Sequence, residues 1–428
     1  MRKLGSALVG NFLQTISSRF LIALQYQDYR TLWTANLLAG ASAWALIVAR
    51  AVLAFEITGY YSWAGLVVFA AMIPRLVATP LIGFIADRFD RQTVLSWTYA
   101  LNLLHNVALA ILVMTSLIGP ILLVLLAFFN GTLRASQMTA TQSLVPNLVP
   151  KEHLLNAVAL NQATQQGSRA VGPLAITPVV LYVGLDWAFW VCALFYLVGL
   201  IQTMRIKTRS SGDVDKRKSV GRNIFDGFSY VYTTPIVLAM IMFAVFHCTL
   251  TMSYESLLPA MSEIMSKTGN PNHAVLLMSG IGVGALISSI LLAGVKTDAV
   301  RGRVFLFVGL TSGLTYIALG LSSMMEMALL FAVLLGASTA GFMTVTHTVI
   351  QAVVPDGVRG RVSGIYSMHV GGSMAFANLL NGILADVFNA PLVMTITGIA
   401  FLILSIVSII YKPVRSLYFP RIFNSELT

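Results

Sequence analysis

The chain has 428 residues, of which 57% are hydrophobic and only 10% are charged. A soluble domain carries about 25% charged residues, so this composition excludes an ordinary water-soluble protein and predicts a chain whose solvent is lipid. Lys and Arg outnumber Asp and Glu by 27 to 16, but these charges lie between long apolar segments and not in one patch. That distribution argues against a nucleic-acid-binding surface.

The N-terminal segment, residues 1–30, begins like a signal peptide. Its apolar stretch is short, polar residues interrupt it, and no A-x-A cleavage site follows. Apolar residues recur at every fourth position from Leu8 to Leu24, which predicts an amphipathic helix on the membrane surface. The alternative is a disordered leader.

Twelve segments are apolar enough for membrane spans, each of which needs about 20 such residues. Their predicted bounds are 31–55, 63–86, 93–115, 119–143, 156–183, 187–204, 235–259, 274–295, 304–322, 327–352, 362–385 and 391–411. These twelve spans divide into two predicted six-helix halves, residues 31–204 and 235–411. Residues 205–234 form a basic linker that ends in a short interfacial helix, and residues 412–428 form a C-terminal tail.

The basic residues are distributed asymmetrically between the loops. Most of them lie in the N-terminal segment, in the loops that follow even-numbered spans and in the tail, whereas the opposite loops contain only Lys267. Loops rich in Lys and Arg remain in the cytoplasm. The asymmetry therefore places both termini and the central linker in the cytoplasm, and we expect a multi-pass protein of the plasma (inner) membrane.

Two segments of the chain are copies of one another. Residues 131–150 read GTLRASQMTATQSLVPNLVP, and residues 336–355, which lie 205 positions later, read GASTAGFMTVTHTVIQAVVP. A duplicated half in so apolar a chain is typical of secondary transporters, which place a central site between two repeats. The charges are not duplicated, since Arg134 aligns with Thr339.

Two polar loops carry a related motif. Residues 83–92 read GFIADRFDRQ and residues 294–303 read GVKTDAVRGR. Both resemble the G-x-x-x-D-R-x-G-R-R/K loop of the major facilitator superfamily. The first departs from this motif at Asp90 and Gln92, and the second departs at Ala299 and reverses the order of Arg301 and Gly302. The resemblance implies that Asp87 docks against the start of span eleven and locks the halves; the alternative is an ordinary loop carboxylate. The predicted gating and interdomain residues are Gly83, Asp87, Arg88, Arg91, Gly294, Asp298, Arg301, Arg303, Arg359 and Arg361.

Span five contains the run RAVGP, from Arg169 to Pro173, with Gly167 before it. This run resembles the Gly-Pro bend of antiporters in the same superfamily, although the Gly pair that completes the pattern is absent here. Proline removes a backbone hydrogen bond and bends a helix. We therefore assign Gly167, Arg169, Gly172 and Pro173 to a bend, with gating and simple packing as alternative roles.

Four phrases resemble one branch of the superfamily, which contains macrolide-efflux-like proteins and the enterobactin exporter. They are DYRTLW at 28–33, ATPLIGFIADRFDR at 78–91, LVPKEHLLNAVAL at 148–160 and VPDGVRGRVSGIYSM at 354–368. The resemblance implies an all-α membrane protein with twelve transmembrane helices in two pseudo-symmetric six-helix halves, the major facilitator fold. It also implies an exporter.

Ionisable residues within spans are costly and mark function by default. The candidates for substrate binding are Arg50, Arg75, Arg134 and Glu255. The arginines either bind an anionic substrate group or support the helix bundle by snorkelling and bonding to backbone carbonyls. Arg50 and Glu255 differ by the repeat offset, so they are also candidates for a pair across the pseudo-two-fold axis.

Proton coupling requires a group that changes its charge during transport. Glu255 is the best candidate. A neighbouring arginine would keep its carboxylate ionised, and a substrate that competes for this arginine would then couple its own binding to the protonation of Glu255. His347 and His369 are weaker candidates, because a lone histidine in an apolar helix is more often a packing residue. Large apolar side chains could line an apolar cavity, with packing as the favoured alternative; the candidates are Phe243, Phe246, Met252, Phe342 and Met343.

The sequence thus predicts a secondary active transporter, working by alternating access, that exports an amphipathic small molecule such as a drug or siderophore-like compound in exchange for protons. The alternatives are lysophospholipid transport and a non-transporting membrane sensor or scaffold. The expected partners are a small-molecule substrate, protons and the lipid bilayer, with no nucleic acid. We expect a monomer that has no cofactor and no metal site and is not an enzyme, since no nucleophile–base pair rises above background.

Overall fold

A computed structural model describes residues 21–76, 90–209, 220–265, 270–292 and 298–411, together with 414, 415 and 418. Within these ranges the regular structure is helical throughout. The predictions for residues 1–20, for Gly83, Asp87, Arg88 and Gly294, and for most of the C-terminal tail lie outside the described residues.

Six α-helices are described in the N-terminal half. They are α1 (Gln27–Thr58), α2 (Tyr61–Met72), α3 (Arg91–Met114), α4 (Pro120–Leu148), α5 (Lys151–Tyr182) and α6 (Leu185–Met204). Local sequence fixes several of their ends: the Asp90 carboxylate accepts the backbone N–H of Thr93 at 2.9 Å and caps α3, and Pro120 occupies the first turn of α4.

Eight α-helices are described after residue 219, the first of them within the predicted linker. They are α7 (Val220–Thr233), α8 (Pro235–Leu250), α9 (Leu258–Met265), α10 (Ala274–Leu292), α11 (Asp298–Gly320), α12 (Met325–Val353), α13 (Asp356–Phe388) and α14 (Ala390–Val407). α7 meets α8 at 94°, so it lies across the end of the bundle. The sequence predicts one continuous span over 235–259, whereas the structure breaks it into α8 and α9.

Eight of the described helices are long and apolar enough to cross a membrane, and α2 and α10 are shorter apolar helices. The outer surface carries many exposed large apolar side chains, among them Ile121, Leu291 and Phe307. Such a surface is stable only against lipid. The chain is therefore an integral, multi-pass membrane protein.

The two halves meet along two seams, where α2 packs on α13 and α5 packs on α10. Glycines bring the backbones of the first seam into contact. A Cβ atom at Gly65 would lie 2.6 Å from the backbone oxygen of Asn378, and one at Gly382 would lie 2.6 Å from that of Tyr61. Small residues allow this close approach of membrane helices.

The duplicated segments occupy equivalent places in the two halves. Gly131 of α4 packs directly against the backbone of Ala71 in α2, and Gly336 of α12 packs in the same way against Ile281 in α10. Neither position has room for a Cβ atom. The repeated glycine therefore holds equivalent helix pairs together, which is the structural basis of the pseudo-symmetry.

We call the end of the bundle that carries Met204 and Val220 the linker end, and the opposite end the far end. Hydrogen bonds join the halves at the far end. Tyr61 donates its hydroxyl to Glu263 at 2.6 Å, and the Asp386 carboxylate accepts the backbone N–H groups of Tyr61 and Ser62 at 2.7 and 2.9 Å. These bonds close the far end.

Candidate functional site

A cavity of about 120 Å³ lies between α1, α2, α4 and α5. The helices that line it begin or end nearby at the linker end, so the cavity lies between the middle of the bundle and that end. Nine of the thirteen residues that line it are polar or charged. Four amides and three hydroxyls contribute: Asn36, Gln137, Asn161, Gln165, Thr141, Thr164 and Ser168.

Two of the predicted arginines, Arg75 and Arg134, line this cavity. The Arg134 guanidinium lies 5.3 Å from the centre of the Trp44 ring, and the Arg169 guanidinium lies 4.5 Å from the same centre. The indole of Trp44 therefore holds two cations by cation–π attraction. Sequence reasoning missed Trp44, because an aromatic residue in an apolar span gives no signal of its own.

Arg169 connects the two halves at the centre of the bundle. Its Nη2 atom donates to the hydroxyl of Tyr254 at 2.6 Å and lies 4.0 Å from Oε1 of Glu255. Arg169 is 1% exposed and Glu255 is fully buried. Arg75 also interacts electrostatically with Glu255. The site thus combines three arginines with one carboxylate.

The sequence alignment offers Arg50 as the partner of Glu255, but the structure pairs Glu255 with Arg169 instead. Arg50 donates to the backbone oxygen of Leu46 at 3.1 Å and to Oδ1 of Asn130 at 3.0 Å. Asn130 in turn donates to Asn102 at 2.8 Å. Arg50 is 1% exposed and does not line the cavity, so its contacts hold α1, α3 and α4 together.

Glu255 lies in the non-helical segment between α8 and α9. A continuous helix would bond the N–H of residue 259 to the carbonyl of Glu255, but residue 259 is proline and has no N–H. The missing donor explains why the helix breaks here. Discontinuous spans of this kind often form the ion and substrate sites of transporters.

Two asparagines of α13 satisfy the backbone of the broken segment. The N–H of Ser256 donates to Oδ1 of Asn378 at 3.1 Å, and Asn381 donates to the backbone oxygen of Ser253 at 2.6 Å. Asn378 also donates to Oε2 of Glu255 at 3.1 Å. Backbone groups buried at membrane depth need such partners. Two asparagines three residues apart in an apolar span were the sequence signal for this contact, and the sequence analysis did not identify them.

Several polar atoms of this site remain without a hydrogen-bond partner among the described residues. They are Oε1 of Glu255, Oγ of Ser256 and Nε of Arg169, all deeply buried. An unpartnered buried polar atom is costly, and such atoms are few in folded proteins. The arrangement leaves room for a proton on the carboxylate and for a new partner on the guanidinium.

The two predicted histidines lie away from Glu255. His369 bonds through Nδ1 to the backbone oxygen of Ile365 at 2.8 Å, and its Nε2 lies 3.2 Å from the hydroxyl of Tyr232 on α7. The ring of His347 lies 5.6 Å from that of Tyr366. His369 belongs to α13 and bonds this helix to α7, whereas His347 belongs to α12 and packs against α13.

The described residues of the loop motifs lie at helix ends. Arg91 donates to Oδ1 of Asn147 at 3.0 Å, Arg303 is exposed, and the side-chain stem of Arg361 packs against Gly227 of α7. Asp298 and Arg301 belong to the first turn of α11 and Arg359 to that of α13. The side chains of Arg91, Arg303 and Arg361 do not line the cavity.

The predicted bend lies within α5, which continues through Pro173. Gly172 packs directly against the backbone of Ala41 in α1, whereas a Cβ atom at Gly167 would meet open space.

Among the apolar candidates, Phe243 and Phe342 form the core of the C-terminal half and Phe246 is exposed on its surface. The lining of the described cavity includes none of these three aromatic residues.

Comparison with known proteins agrees with this architecture. The model of the transmembrane secretion effector family matches residues 19–417. The multidrug efflux pump Tap of Mycolicibacterium fortuitum is 22% identical over 396 residues, 90% of this chain and 95% of Tap. The staphyloferrin A transporter of Staphylococcus aureus is 23% identical, covering 82% and 89%, and the enterobactin exporter EntS of Shigella boydii is 23% identical, covering 70% and 72%.

Solved structures show the same fold. The nucleoside transporter NupG superposes with a TM-score of 0.69 at 12% identity, covering 91% of this chain and 99% of NupG. A bacterial homologue of the human lysosomal transporter Spinster, inward-facing and unoccupied, gives 0.69 at 15% identity, covering 92% and 98%. The chain therefore belongs to the transmembrane secretion effector family, in a branch of the major facilitator superfamily that contains efflux transporters.

Proposed function

We propose that the protein exports an amphipathic small molecule with an acidic or zwitterionic group, such as a drug or siderophore-like compound, in exchange for protons. The observation that carries this proposal is the pairing of Arg169 with Glu255 across the two halves, beside a cavity that two further arginines line. Three guanidinium groups and one carboxylate give the site an excess of positive charge, which attracts an anionic group. The relatives Tap and EntS, named as an efflux pump and an exporter, support the direction of transport.

The proposed orientation follows from the basic loops, which favour a cytoplasmic linker end. The cavity then lies on the cytoplasmic side, and the hydrogen bonds of Tyr61 and Asp386 close the outer side. In this conformation the substrate enters from the cytoplasm. Alternating access requires these outer bonds to break as the halves rock.

In the proposed cycle, ionised Glu255 holds Arg169 and so holds the halves together. The anionic group of the substrate enters beside Arg134 and competes for Arg169, which frees Glu255. The halves then rock, and a proton from outside binds Glu255 while the substrate leaves. After the return, Glu255 releases this proton to the cytoplasm and pairs with Arg169 again, so one proton enters for each substrate exported.

The lysophospholipid alternative requires an opening towards lipid that reaches Arg75 and Arg50. Arg50 is 1% exposed and is enclosed by its bonds to Leu46 and Asn130. This enclosure supports the exporter as the proposed function.

The test uses inside-out vesicles with an acidic lumen and a panel of acidic and zwitterionic amphiphiles, norfloxacin among them. The wild-type protein should accumulate at least one of these compounds when the pH gradient is imposed, and Glu255→Gln should abolish the gradient-driven part. Glu326→Gln, at an exposed carboxylate in the first turn of α12, is the matched control and should transport normally. Gradient-driven accumulation by Glu255→Gln would falsify the coupling role.

A further inference from the structure

Two of the four amides in the cavity wall, Asn36 and Gln137, are oriented by hydrogen bonds. The hydroxyls of Tyr99 and Thr141 both donate to Oδ1 of Asn36, at 3.3 and 3.1 Å, and Nε2 of Gln137 donates to the hydroxyl of Tyr99 at 3.1 Å. These bonds use one end of each amide. Nδ2 of Asn36 and Oε1 of Gln137 bond to no residue in the described ranges, so a donor and an acceptor are preset for a ligand.

Arg134 contributes an unused charge to the same wall. Within the described part of the chain Arg134 makes no hydrogen bond and no ion pair, and its guanidinium lies 5.3 Å from the centre of the Trp44 ring. All five N–H donors of its guanidinium are therefore available. A guanidinium binds a planar oxyanion through two parallel hydrogen bonds.

Few of the side chains in the lining are apolar. Trp44 is its one aromatic residue, and Met138 and Ala39 are the other two apolar side chains. Pockets that bind lipophilic drugs are lined predominantly by apolar and aromatic side chains. Two arginines line the cavity and no carboxylate does, which disfavours a cationic ligand.

We propose that this cavity recognises the polar end of the substrate, and that this end is a carboxylate joined to several hydroxyl or amide groups. The carboxylate binds Arg134, while the hydroxyl or amide groups bond to Asn36 and Gln137. The inference rests on the proposed function, because it takes the cavity as the substrate site. It goes further by excluding lipophilic cations, although one relative is named a multidrug pump.

Four probes separate the features of this ligand. Gluconate carries a carboxylate and hydroxyls, sorbitol carries hydroxyls alone, hexanoate carries a carboxylate alone, and tetraphenylphosphonium is a lipophilic cation. The melting temperature of the purified protein is measured against the concentration of each probe, and the saturable part of the shift reports binding. We expect gluconate to bind most tightly, sorbitol and hexanoate about tenfold or more weakly, and the cation not at all.

Variants assign the binding to this cavity. Arg134→Gln should weaken gluconate binding about tenfold or more, and Thr141→Val, which releases Asn36 from one of its two hydroxyl donors, should weaken it less. Arg205→Gln, at an exposed arginine that ends α6, should leave the gluconate affinity unchanged. Thr141→Val keeps the test meaningful if Arg134→Gln does not fold.

The inference is overturned if gluconate produces no saturable shift, if hexanoate or the cation binds as tightly as gluconate, or if the cavity variants bind like the wild type. The assay uses detergent-solubilised protein without a gradient, so it does not depend on proton coupling. Gluconate binding without pH-driven transport would contradict the proposed function and leave the inference standing.

Discussion

Arg169 stabilises the centre of the molecule through three different contacts: a hydrogen bond to Tyr254, a cation–π contact with Trp44 and the ion pair with Glu255. Both charged partners are almost fully buried. Removing one member of a buried pair leaves the other charge uncompensated, which costs about 3 to 5 kcal/mol.

A double-mutant cycle measures this pairing. Arg169→Gln should lower the melting temperature strongly, because the buried Glu255 loses its ion-pair partner. Adding Glu255→Gln to that variant should recover most of the loss, whereas independent residues would give additive losses. Additive melting-temperature losses in the double variant would show that Arg169 and Glu255 do not interact.

At the residue scale, the sequence identified the charges but not their partners. The two halves have slipped by about six residues relative to each other, since the loop motifs at Gly83 and Gly294 are offset by 211 and not by 205. The alignment pairs Arg50 with Glu255 because they differ by 205 residues. Since the offset changes along the chain, that alignment does not establish a contact between them. The pairing with Arg169 depends on the break before α9, for which Pro259 was the available signal.

At the element scale, the repeated glycines explain why two sequences of low similarity fold into equivalent halves. Gly131 and Gly336 each bring one helix backbone against another, α4 on α2 and α12 on α10. The predicted spans follow from the spacing of apolar residues, which depends on local sequence alone. The seams between halves depend on which helices meet in space, and no local pattern encodes that choice.

Alanine substitutions test the helix contacts. Gly131→Ala and Gly336→Ala should each lower the melting temperature by several degrees, because the added methyl group meets backbone atoms of Ala71 or Ile281 that cannot rotate away. Gly364→Ala, in α13 with nothing near its Cβ position, is the matched control. It should be neutral or stabilising by up to about 1 kcal/mol, because alanine is the better helix former. Equal effects at all three glycines would contradict this interpretation.

At the scale of the whole molecule, three features act together: the bonds at the far end, the ion pair at the centre and the cavity. The halves are tied at the far end by Tyr61, Glu263 and Asp386, and at the centre by Arg169 and Glu255. The cavity lies on the other side of that central tie. The central claim is that the charge of Glu255 sets the balance between the conformation seen here and one that is open at the far end.

The most direct measurement is the distance between spin labels at the far end, on the exposed positions Leu117 and Leu321 replaced by cysteine. The native Cys192 and Cys248 are buried and should not react with the label. The account predicts that acidification lengthens this distance in the wild-type background, and that Glu255→Gln gives the longer distance at every pH. A distance that is insensitive to pH in the wild-type background, or that still responds to pH in Glu255→Gln, would contradict the account.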